Sequence, residues 1–133
     1  MIVVIDTNVA VSAIFWPGED RHCFVLGARK RFRFAVTLAI LTEYEEISER
    51  MATDYPKVNP GPWLSWIRNK ALLVEPSPLG KQRSKDLTDD IFLGCALAVG
   101  ADAIVSKDRH LLNLGKPFGV EMLTPRQLIK RLT

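Results

Sequence analysis

Runs of hydrophobic and polar positions divide the chain into blocks, and most blocks imply one element. Ile2 to Ile5 is apolar without alternation, which predicts a strand covered on both faces, as in parallel sheets. It runs straight into Asp6. Thr7 to Phe15 carries apolar Val9, Ile14 and Phe15 and predicts a helix that stops before Pro17. A second helix is expected over Asp20 to Lys30, with Cys23, Phe24 and Leu26 apolar, and a strand over Phe32 to Val36. Thr37 starts the clearest helix, reaching about Met51, and the turn-rich stretch Asp54 to Pro62 ends it. Trp63 to Lys70 predicts a helix, Ala71 to Val74 a short strand and Pro76 to Lys85 a polar loop. Thr88 to Val99 is so rich in small and apolar residues that it predicts a helix buried nearly all round, closed by Gly100. Ala103 to Val105 predicts a strand, Arg109 to Leu114 a short helix, and Val120 to Leu123 a last strand. Thr124, Pro125 and Gln127 then form a capping-box signature for a final helix. Strands alternating with helices predict an α/β fold with a mainly parallel sheet.

Composition narrows this picture. At 133 residues, 47% hydrophobic and 25% charged, the chain has the size and balance of one soluble domain spanning residues 1–133. No apolar run approaches the ~20 residues needed to span a bilayer. The N-terminal strand lacks a basic leader and is interrupted by Asp6, unlike a secretory signal. The two cysteines, Cys23 and Cys95, fall in apolar helical stretches and are expected as buried free thiols in a reducing cytoplasm. His22 and His110 lack the spacing of a zinc site. A net charge of +3 and a pI near 9.0 point weakly to nucleic acid. The cations gather in three clusters: Arg29, Lys30, Arg31 and Arg33; Lys81, Arg83 and Lys85; and Arg126, Lys130 and Arg131.

The acids carry the candidate chemistry. Asp6 ends the first strand at the turn into a helix, where ligands bind in open parallel sheets, although an acid there also caps helices. On the Thr37 helix, Ile40, Tyr44, Ile47 and Met51 share a face at about 100° per residue, and Glu43 flanks that face while Glu45, Glu46 and Glu49 point to solvent. Asp90 heads a stripe of small residues with Gly94 and Ala98, expected to allow close approach to the sheet; Asp89 is its immediate neighbour and Asp86 lies one turn earlier. Ser106 and Asp108 follow a second apolar strand and repeat the logic of Asp6. Asp102 precedes that strand and belongs to the opposite edge. Asp6, Glu43, Asp90 and Asp108 are therefore expected to meet at one sheet edge. Such crowding raises carboxylate pKa values unless a cation neutralises it. An all-oxygen set suits Mg²⁺ or Mn²⁺, whose chemistry serves phosphoryl transfer.

With those residues in place, the sequence resembles the PIN domain family, and within it the ribonuclease toxins of toxin–antitoxin pairs. The segments that carry the likeness are "VIDTNVAVSA", "ILTEYEEI" and "DLTDDIFLGCALAVGADAIVSKDRHLL", in order over essentially the whole chain. The resemblance implies a PIN-like three-layer α/β/α fold and a Mg²⁺- or Mn²⁺-dependent endoribonuclease. It implies metal ligands at Asp6, Glu43, Asp90 and Asp108, with support from Asn8 and Ser106; Asp86, one turn before Asp90, is expected to supply an outer-shell hydrogen bond. RNA contacts are expected at Arg29, Arg31, Lys85 and Lys107. It further implies an antitoxin partner and a homodimer. Lys107 departs from the family, whose members often carry Gly there, and Asp89 beside Asp90 leaves the third ligand open. A haloacid-dehalogenase-type phosphatase would need an acid where Asn8 stands. A receiver domain would need a phosphoacceptor after a middle strand, whereas Asp54 follows a helix. The alternative outside enzymes is a catalytically silent PIN-like module that binds RNA or protein.

Overall fold

The computed structural model describes residues 1–80 and 90–133. Strand β1 (Ile2–Ile5) sits at the centre of a five-stranded sheet, joined by β2 (Arg33–Val36), β3 (Leu72–Leu73), β4 (Ala103–Val105) and β5 (Glu121–Leu123) in the order β3-β2-β1-β4-β5. Every pairing is parallel: Val3 lies beside Phe34 and Ala103, and Val105 beside Leu123. The β-branched run at the start is thus flanked on both sides and buried, as its lack of alternation predicts.

Helices α1 (Thr7–Phe15), α2 (Glu19–Ala28), α3 (Leu38–Asp54), α4 (Gly61–Lys70), α5 (Asp90–Val99), the single turn α6 (Arg109–Leu112) and α7 (Pro125–Leu132) complete a three-layer α/β/α, PIN-like arrangement. Thr37 caps α3 by accepting from the Ile40 amide, and the Thr124–Gln127 capping box opens α7. The core joins Val3, Val4 and Ile5 to Phe24, Phe34, Tyr44, Phe92, Leu93 and Ile104. Both thiols are free and buried. No helix among the described residues is long and apolar enough to cross a membrane.

Several elements differ from expectation. Helix α3 runs on to Asp54, and α4 begins at Gly61 because Pro62 is tolerated in a first turn. Strand β3 keeps only two residues. Helix α5 is not buried all round. Its buried positions are Phe92 to Ala96, while Ala98 is exposed. Nor does the Asp90-Gly94-Ala98 stripe lie on the sheet. The segment leaving β3 crosses Gly94 instead: the Ser77 amide donates to the Gly94 carbonyl at 3.0 Å. A Cβ on Gly94 would meet the Ser77 carbonyl oxygen at 3.2 Å. Gly100, at φ +62°, closes α5 in the left-handed region that favours glycine.

Candidate active site

Because all strands are parallel, their carboxyl ends share one edge, and the sequence places Asp6 and Ser106 immediately beyond β1 and β4. The Asp6 amide continues the ladder by donating to the Val105 carbonyl at 2.9 Å. Its side chain is only 5% exposed. That side chain makes no N-cap hydrogen bond into the body of α1, although the Thr7 amide at the start of that helix reaches it. Instead the Ser106 hydroxyl, fully buried, donates to Asp6 Oδ2 at 2.7 Å and accepts from the Asp108 amide at 2.9 Å. One hydroxyl thus ties the two strand ends together. Asp108 Oδ1 accepts from the His110 amide at 2.9 Å and so also caps α6.

Burial pushes the Asp6 carboxyl above its usual range. Hydrogen bonds from Ser106 and Thr7 oppose the rise, and the charges of Asp108 and Glu43 add to it. The charges of Asp108 and Glu43 thus both reach Asp6. Glu43 is half-buried on α3, held there by its neighbour Tyr44. The Tyr44 hydroxyl donates to the Ile5 carbonyl at the end of β1, and its burial drives the phenol well above its usual pKa. The periodicity that marked Tyr44 as apolar core gave no sign of this polar strut. Asp90 opens α5, and the adjacent Ile91 shares an open groove with Leu38, Thr42 and Glu43. Asn8 is exposed in the first turn of α1.

Other candidates lie elsewhere. Arg29 and Arg31 follow α2 just before β2, at the amino edge, where the Arg31 amide donates to Leu26 and the Arg33 amide to Met1. The fold does not bring them to the acids. Asp102 is at that amino edge too, accepting from the Ile2 amide at 2.8 Å. Lys107 is at the acidic edge, but its Nζ lies 2.5 Å from Asp20 Oδ2. Asp86, Asp89, and the cluster Lys81, Arg83 and Lys85 lie outside the described residues.

The PIN domain pattern matches residues 2–110 of the chain. The chain belongs to the PIN domain family. PIN domains form a nuclease-type family and are typically dependent on divalent metals. No curated protein and no solved structure matches the chain. In a PIN domain the carboxyl-edge acids face a simple test of fit. Their donors are carboxylate and hydroxyl oxygens, suited to a hard divalent cation. Asp6 has no Lys or Arg partner among the described residues, and the Oγ1 of Thr7, next in the chain, is buried without a hydrogen bond. Among the described residues no three Asp, Glu, His or Cys side chains already converge around an ion position. The site fits a divalent cation in donor type and in unbalanced charge; its acids are not drawn into a cage.

Proposed function

We propose that this PIN domain is a Mg²⁺- or Mn²⁺-dependent endoribonuclease and the toxin of a toxin–antitoxin pair. The observation that carries the reading is the buried Asp6 carboxylate, held by Ser106 and acted on by the charges of Asp108 and Glu43, with no Lys or Arg partner among the described residues. Asp6, Glu43, Asp90 and Asp108 would hold the metal. A divalent cation bound there would lower the pKa of a water nucleophile and stabilise charge on the leaving oxygen. Ser106 fixes the orientation of Asp6 and the approach of Asp108, and Asn8, exposed two residues after Asp6, would orient the scissile phosphate. Tyr44 sets the height of Glu43 against β1.

The RNA substrate would enter along the exposed groove beside Glu43. An antitoxin segment offering a basic side chain to the acids would restrain the enzyme, and a homodimer is the expected working unit. Two buried free thiols accord with a reducing cytoplasm. Cleavage of single-stranded RNA should vanish on chelation and return with Mg²⁺ or Mn²⁺, and Asp6→Asn should lose activity by orders of magnitude while remaining folded. Undiminished cleavage by rigorously metal-free protein would refute the metal dependence. A chain that binds RNA but never cleaves it with added metal would be the silent binding module.

A further inference from the structure

Lys107 stands in the loop between two parts of the acidic edge. Before it Ser106 turns inward to Asp6, and after it Asp108 begins α6. Its ammonium points the other way, onto Asp20 in the first turn of α2, with Nζ and Oδ2 2.5 Å apart. Asp20 is a buried acid, 8% exposed as a residue, whereas the lysine side chain is half-exposed on its flexible four-carbon stem. The end of α2 that carries Asp20 is anchored in turn, since Glu19 pairs with Arg126 of α7 at 3.0 Å. Because Lys107 is flanked in the chain by Ser106, bound to Asp6, and by Asp108, its flexible ammonium has those carboxylates as an alternative partner. Among the described residues, those that act on Asp6 are Ser106, Thr7, Asp108 and Glu43, none of them a cation.

We propose that Asp20 is a positioning residue for the acidic edge, holding the Lys107 ammonium on α2 so that it does not fold back and neutralise Asp6 and Asp108. The inference rests on the reading of that edge as a cation-binding centre. A released ammonium within ~4–6 Å of a carboxylate stabilises its charged form by about 1–3 pKa units, so a divalent ion would have to displace a bound competitor.

Mn²⁺ titrations of the full chain, by calorimetry or electron paramagnetic resonance, test this. Asp20→Asn keeps the shape and frees the lysine, and should weaken Mn²⁺ binding about tenfold or more. The double variant Asp20→Asn, Lys107→Met removes the competitor and should return affinity to within about twofold of wild type. Asp20→Glu should retain most of it. Asp20→Asn binding Mn²⁺ as wild type does, or a double variant as weak as the single one, overturns the proposal. A crystal structure of metal-free Asp20→Asn tests the same point without any metal. Lys107 Nζ should lie within about 4 Å of the Asp6 or Asp108 carboxylate. A side chain extended into solvent overturns the proposal. Wild-type protein that takes up no Mn²⁺ would defeat the cation-binding reading instead, and the lysine's place in the metal-free variant would still decide the role of Asp20.

Discussion

A buried carboxylate with no counter-cation among the described residues leaves a mark on stability, and for Asp6 its sign follows from the direction of the pKa shift. Folding raises the Asp6 pKa above its usual 3.8, so the folded chain holds that proton more tightly than the unfolded chain. Its contribution to stability is whole below 3.8 and is lost as pH rises through the folded-state value. Asp6→Asn abolishes the loss. In metal-free buffer at neutral pH the variant should melt higher than wild type, with the gap closing as pH falls towards 3.8. Thermal melts of both proteins across that range check it, and a gap that widens in acid contradicts it. Ser106→Ala should act in the opposite direction, costing about 1–3 kcal/mol because Asp6 loses its buried donor. Asp6, Ser106 and Asp108 were legible as residues because strand ends announce themselves in an apolar run that stops. The Lys107–Asp20 pair was not, since its partners are 87 positions apart and nothing local distinguishes Asp20 from any acid in a first helical turn.

Among the elements, α3 and α5 show what periodicity reveals and what it conceals. Turn-by-turn spacing separated Glu43 from Glu45 and Glu46; the Glu43 charge acts on Asp6, while Glu45 pairs with Arg68. Spacing also grouped Asp90, Gly94 and Ala98, but a helical stripe has no way of naming what covers it. Here the cover at Gly94 is the chain leaving β3, and further along the stripe Ala98 is exposed. Gly94→Ala should therefore push against the Ser77 carbonyl and cost about 1–3 kcal/mol, measured by denaturant melts. A neutral result would mean that the Pro76–Ser77 crossing yields freely. The amphipathic pattern of α3 likewise hid the Tyr44 hydroxyl, because a tyrosine on an apolar face reads the same whether or not its polar tip finds a carbonyl.

At the scale of the whole molecule, the all-parallel sheet makes the two edges chemically different. Asp6 and Asp108 follow β1 and β4 at the carboxyl edge, and Arg29, Arg31 and Arg33 lie at the amino edge. A four-residue strand alone separates the edges by about 13 Å, more than the ~10 Å screening length in 0.1 M salt. Arg29→Ala combined with Arg31→Ala should leave cleavage of a short oligonucleotide unchanged and slow it only for RNA long enough to reach both edges. Equal losses on short and long substrates would place those arginines in the cleavage site after all. The arginines precede β2 in the chain as Asp102 precedes β4, and in an all-parallel sheet both positions fall at the amino edge. The ladder bond from the Asp6 amide to Val105 has a further consequence. With β1 flanked by strands on both sides, that amide can trade its hydrogen for deuterium only when the sheet itself comes apart. The amides of the single-turn α6, next to Asp108, need only a local opening. Two acids joined by one serine hydroxyl should therefore keep time with different clocks, Asp6 with global unfolding and Asp108 with the breathing of its loop.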